Sequence, residues 1–128
     1  MIVDTNILIL LERETRKGLD GVATKFFASL TDTQICITPT IAGELACGTS
    51  MSGRERWERF IKPFEVVPIN AETAWHYGVQ YRALAKRREL IGTNDLWIAA
   101  TALAHQMPVA TGNVDEFERV DGLQVVSV

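Results

Sequence analysis

Four separate stretches of this chain deliver an oxygen-bearing side chain where an apolar run begins or ends. Asp4 follows Met1-Ile2-Val3, and Glu44 lies a few residues past Thr38-Pro39. Asp95 opens the apolar stretch Leu96 to Ala104, and Asn113, with Asp115 two residues on, follows Val109-Ala110-Thr111. Taken singly, each has an ordinary explanation: Asp4 as a helix cap, Glu44 as a solvated acid, Asp95 as a partner of a helix dipole. Taken together, three converging carboxylates repel and raise one another's pKa. No lysine or arginine stands close in sequence to Asp4, Glu44 or Asp95. A hard divalent cation such as Mg²⁺ or Mn²⁺, which prefers oxygen ligands and retains several waters, relieves that repulsion. Zinc suits the pattern less well, because His76, His105, Cys36 and Cys47 fall elsewhere.

Convergence requires a scaffold, and the sequence alternates short β-branched runs with longer helical patterns. Strands are expected at Met1–Asp4, Gln34–Thr38, Phe64–Pro68, Val109–Thr111 and Leu123–Val128. Between them, helices are expected over Asn6–Glu14, Val22–Leu30 and from Pro39 to near Gly48, where Thr38 caps a helix that opens on proline. Ser52-Gly-Arg-Glu55 reads as a capping box for the next helix, with Trp57, Phe60 and Ile61 on its inner face. Asn70 caps a long helix from Ala71 to about Leu90, whose apolar face carries Ala74, Trp75, Tyr81 and Leu84. Thr93 or Asn94 caps the last, Asp95–Gln106, which is apolar almost all round and therefore central. Strand–helix–strand repetition of this kind predicts a three-layer α/β/α domain around a mostly parallel five-stranded sheet. In such sheets sites sit beyond the C-terminal strand ends, where the strand order reverses.

Composition bounds the function further. A chain of 128 residues with 47% hydrophobic and 23% charged residues reads as a single globular domain over 1–128, and neither as a disordered tail nor as a disulfide scaffold. The net charge of −3 excludes a basic coat, so a polyanionic substrate must meet a local patch or a bound cation. Cys36 and Cys47 show no metal or redox spacing and read as reduced thiols acting as small hydrophobes. The run Ile7–Leu11 is too short for a signal-peptide core or a membrane span. A cytoplasmic protein with no membrane contact is the expectation.

Four motifs in order then carry a resemblance. Val3-Asp4-Thr5-Asn6, Gly43-Glu44-Leu45 after Thr38-Pro39, Thr93-Asn94-Asp95-Leu96-Trp97, and Thr111-Gly-Asn113-Val-Asp-Glu116-Phe117 together resemble a PIN-domain ribonuclease of the VapC toxin type. The resemblance spans the whole chain. It implies a PIN-like fold and a Mg²⁺- or Mn²⁺-dependent endoribonuclease. Asp4, Glu44 and Asp95 are then the acidic metal-site residues, and Asn113 stands at a fourth position often held by Asp. Asn113 removes one charge there, which leaves one or two metals open, and Asp115 would substitute for or support it. Thr5, Asn6 and Thr111 match positions that orient the acids or the scissile phosphate. Water activated by the cation, with Asp95 or Glu44 accepting its proton, would leave 5′-phosphate and 3′-hydroxyl ends. The resemblance also implies a homodimer and a VapB-type antitoxin lying along the first helices. Five consecutive apolar residues, Ile7–Leu11, cannot all face one core, which agrees with a partner there.

Basic residues allow more than one reading. Lys86-Arg87-Arg88, with Arg82 one turn back, are either phosphate grips for RNA or a solvated helix end complementing the dipole. Arg54, Arg56, Arg59 and Lys62 interleave with Trp57 and Phe60 as an amphipathic helix packing inward rather than as a stacking platform. Rival functions fit less well. A haloacid-dehalogenase-like phosphatase needs a second Asp where Asn6 stands, and a response-regulator receiver needs paired acids and a late lysine that are missing. A silent interaction module whose acids merely cap helices would bind no Mn²⁺.

Overall fold

The computed structural model describes residues 1–128. Five short strands build the centre: β1 (Ile2–Val3), β2 (Cys36–Ile37), β3 (Glu65–Val66), β4 (Val109–Thr111) and β5 (Val125–Ser127). Seven helices pack around them: α1 (Thr5–Lys17), α2 (Val22–Ser29), α3 (Pro39–Ala46), α4 (Arg54–Ile61), α5 (Ala71–Lys86), α6 (Thr93–Ala104) and α7 (Val114–Phe117). The sheet order is β3-β2-β1-β4-β5 and every pairing is parallel, so the expected mostly parallel sheet is wholly so. From β1 the chain builds outward through β2 and β3, then crosses to β4 and β5 on the other side. The reversal falls between β1 and β4.

The core joins both sides of the sheet. Ile2, Val3, Ile37, Val109 and Ala110 are fully buried in the strands, with Leu8, Ile41, Leu84 and Phe117 packed from the helices. Helix α6 is the most enclosed, as its composition predicts: Leu96, Ile98, Ala99, Ala100, Thr101 and Ala102 are all buried. Its many alanines let it lie close to α3 and α5.

Helix ends show where local signals hold and where they do not. Thr38 caps α3 by accepting from the Ile41 N–H, and Asn70 forms a reciprocal capping box with Thr73 at α5. The Ser52 box is not formed. Ser52 sits in helical geometry at the end of the 3₁₀ turn Thr49–Met51, and extended Gly53 takes the cap position with no side chain to offer. Thr93 and Asn94 likewise do not cap α6, because Thr93 already lies within the helix and Gly92 precedes it.

The inner face of α5 is also different from the expected one. Thr73, Gln80 and Leu84 are its buried residues, whereas Trp75 is 63% and Tyr81 45% exposed. Gln80 is drawn inward because its amide bonds both backbone groups of Asp121, a partner no periodicity shows. The helix ends at Lys86, short of Leu90. Of the two thiols, Cys36 is buried but Cys47, one position past α3, is exposed. No helix is long and apolar enough to cross a membrane.

Candidate active site

The site grows from the end of β1. Asp4 leaves the strand in extended geometry and caps α1, its Oδ1 accepting the Thr5 N–H at 2.8 Å. Its Oδ2 accepts the hydroxyl of Thr111 at 2.8 Å, from the end of β4 across the reversal point. Thr5 in turn donates its hydroxyl to Glu44 Oε1 on α3 at 2.8 Å. On the other side, Thr111 Oγ1 accepts the Asn113 N–H at 2.9 Å, and Asn113 Nδ2 donates to Glu116 Oε2 at 2.9 Å. Asp95, in the first turn of α6, lies beside Glu116. Hydrogen bonds thus link Glu44, Thr5, Asp4, Thr111, Asn113 and Glu116 in series, with Asp95 beside Glu116. Thr5 donates through both its N–H and its hydroxyl, and Thr111 donates to Asp4 while accepting from Asn113, which fixes the Asp4 and Glu44 carboxylates.

Charge is strongly one-sided here. None of Asp4, Glu44, Asp95 and Glu116 joins an ion pair. Burial pushes the Asp4 carboxyl above its ordinary range, against the lowering effect of its Thr111 and Thr5 donors, and the Glu44 and Glu116 charges add to the rise. Asp95 is pushed up to about 7, first by burial, then by its hydrogen bond with Glu116 and by the negative charges of Asp4, Glu116 and Glu44. Glu44 and Asp95 face an open hollow of about 390 Å³, walled also by Gly92, Thr93 and Asn94.

The donor set is all oxygen and anionic, which matches a hard cation. No three of these acids meet closely enough to ligate one ion together. Mg²⁺ takes one or two carboxylates directly and keeps its other positions for water and substrate, so it would not need all of them as ligands.

Not every expected residue is drawn in. Asp4, Thr5, Glu44, Asp95, Thr111 and Asn113 are, but Asn6 and Asp115 are exposed and make no side-chain hydrogen bond. Glu116, not Asp115, turns to the cluster, since one residue along a helix rotates a side chain by about 100°. The spacing Asn113–Glu116 carried the signal, because residues three apart share a helix face. Arg82, Lys86, Arg87 and Arg88 are all exposed at the end of α5. Arg87 is taken up by Asp121 Oδ2 and the Arg119 carbonyl, and Arg82 lies 5.7 Å over the Trp75 ring.

Comparison with known proteins agrees with this geometry. Residues 1–123 match the model of the PIN domain family. The chain is 33% identical to Ribonuclease VapC1 of Rickettsia felis, across 100% of this chain and 96% of that protein. It superposes on a chain of the VapBC2 crystal structure from Rickettsia felis, bound to a promoter DNA fragment, with a TM-score of 0.81. Identity there is 25%, over 99% of this chain and 97% of the other. A chain of VapBC-1 from nontypeable Haemophilus influenzae gives 0.78 at 27% identity, covering 98% and 96%.

Proposed function

The chain belongs to the PIN-domain family, and on that premise we propose that it is a VapC-type endoribonuclease dependent on Mg²⁺ or Mn²⁺, the toxin of a toxin–antitoxin pair. The observation that carries this reading is a carboxylate cluster at the strand-order reversal with no protein cation to neutralise it. Asp4 and Asp95 are the residues to hold the ion, with Glu44 and Glu116 beside them. A bound divalent cation supplies positive charge for the scissile phosphate and a water of lowered pKa.

The chain's own residues do the rest. Thr5 fixes the Glu44 carboxylate, and Thr111 fixes Asp4. One of the two carboxylates that face the hollow, Glu44 or Asp95, accepts the proton from the attacking water. In-line attack by water leaves 5′-phosphate and 3′-hydroxyl ends and needs no 2′-hydroxyl nucleophile.

The solved relatives are VapBC complexes, and a VapB-type antitoxin and a second copy of this chain are proposed as its protein partners. Incubation of the purified protein with total RNA, with and without chelator, tests the chemistry. Mn²⁺ should restore cleavage lost in EDTA, and end mapping should show 5′-phosphates. Undiminished cutting in EDTA, or cyclic phosphate ends, would overturn the metal mechanism. Saturating Mn²⁺ at about 100 times its Kd should raise stability by about 2.7 kcal/mol.

A further inference from the structure

A strand whose phosphate sits at the acids must continue somewhere, and one face of α1 leads away from them. Thr5, Ile9, Glu12 and Arg16 follow at spacings of four, three and four residues, so they form one stripe along that helix. The stripe spans about 16 Å at 1.5 Å per residue. At its start, Thr5 bonds Glu44. At its middle, Ile9 and Glu12 line a small hollow of about 90 Å³ together with Glu44 and Met51. At its far end, Glu12 and Arg16 wall a cleft of about 310 Å³ with Met51, Arg56, Arg59 and Phe60. The two hollows share Glu12 and Met51, so the surface is continuous from the acids to the cleft.

The cleft sets three guanidinium groups against one carboxylate in a protein of net charge −3. Glu12 is buried and its Oε1 accepts from both Arg16 (3.1 Å) and Arg56 (3.0 Å), which holds both heads in place. Arg59 makes no ion pair and is free to bind. The half-buried Phe60 offers apolar surface beside the guanidinium groups, and the exposed Ile9 offers more in the hollow nearer the acids, as base contacts require.

We propose that single-stranded RNA leaves the acidic site past the exposed Ile9 and Arg16 of α1 and is gripped through its phosphates in the α1–α4 cleft, with Arg59 the principal contact. This rests on the nuclease reading above. It assigns the phosphate grip to this cleft in place of the α5 cluster of Arg82, Lys86 and Arg88.

Binding of a labelled single-stranded RNA 12-mer, in Ca²⁺ and across a salt series, tests it. Arg59→Ala should weaken binding and reduce the slope of log K against log salt by about 0.7, the value for one phosphate contact on a single strand. Arg59→Lys should restore the slope, and Arg82→Ala should leave it at the wild-type value. Wild-type affinity and slope in Arg59→Ala would overturn the track. So would unchanged RNA binding with loss of binding to a synthetic Glu-rich peptide, which would give the cleft to a protein partner. A wild-type protein that cuts neither RNA nor bis(p-nitrophenyl) phosphate in Mn²⁺ would instead defeat the nuclease reading itself.

Discussion

Helix α1 carries a buried carboxylate near each end, and the two are handled in opposite ways. Asp4 and Glu14 are each only 4% exposed. Glu14 points at the start of α2, where it accepts from the N–H groups of Ala23 and Thr24 and from the Thr24 hydroxyl. These donors, led by the Thr24 hydroxyl, hold its carboxyl below the ordinary range despite the opposing effect of burial. Asp4 has fewer donors and faces other acids, so burial wins and its carboxyl is pushed up. Burial of a charge is therefore not what marks a site. What marks it is whether the fold answers that charge with its own donors, as an open helix N-terminus does for Glu14, or leaves it for something outside the chain.

The contrast can be broken most sharply at Asp4 and Asp95. Asp4→Asn or Asp95→Asn should lower RNA cleavage by about 10²–10³-fold or more, the scale for losing one charge-stabilising group. The melting temperature should hold or rise, because a repulsive charge is gone. An Asp4→Asn protein that cuts RNA with full metal dependence would show that the acids are not the site.

At the other end the expectation inverts. A Cβ at Gly21 would run into the Glu14 carboxylate, so Gly21→Ala should cost about 1–3 kcal/mol of stability as an overpacked contact. Cleavage per folded molecule should be retained. Denaturant melts read the first quantity and active-fraction-corrected rates the second.

Asn113→Asp is a subtler probe. It removes the amide that donates to Glu116 and adds a charge, so the metal-free protein should lose about 0.5–1.5 kcal/mol, the worth of one hydrogen bond. Its Mn²⁺-induced rise in melting temperature should equal or exceed that of the natural protein. A smaller rise would mean that the Asn113 amide itself is needed at the site.

The smallest effects are the pH slopes, which should oppose one another. Asp95 binds its proton more tightly folded than unfolded, so its stabilising protonation is complete below its ordinary value of 3.8. That contribution is lost as pH rises toward about 7. Metal-free protein should therefore soften across that window, and Asp95→Asn should flatten the slope. Glu14 binds its proton less tightly folded, so its contribution is present above its ordinary 4.5 and lost as pH falls below it. Glu14→Gln should remove that acid-side loss while lowering stability at neutral pH. Identical slopes in both variants would erase the distinction between the two carboxylates.

Much of this was legible because it is local. Thr38-Pro39 announced a capped helix start and formed one, and the alanine-rich stretch from Leu96 announced a buried helix and became one. Asp4, Glu44 and Asp95 could be placed at one sheet edge because parallel strand–helix repetition puts every strand's C-terminal end on the same side. Other features were hidden because they depend on partners far along the chain. Trp75 and Tyr81 look like core residues by type, yet Gln80 takes the inner position through its bonds to Asp121. Ser52 looks like a cap, yet the preceding 3₁₀ turn holds it in the wrong geometry.

The residue order alone determined the alternation of strands and helices, the caps at Thr38 and Asn70, and the supply of acids from four segments, since each follows from side-chain chemistry within a few neighbours. Only the packed fold decided that Glu116 and not Asp115 completes the cluster, that the threonines of β4 and α1 tie Asp4 to Glu44 and to the Asn113–Glu116 pair, and that α1 joins them to an arginine cleft. Those relations are set by the direction in which side chains leave elements distant in sequence, and direction exists only once the elements are packed.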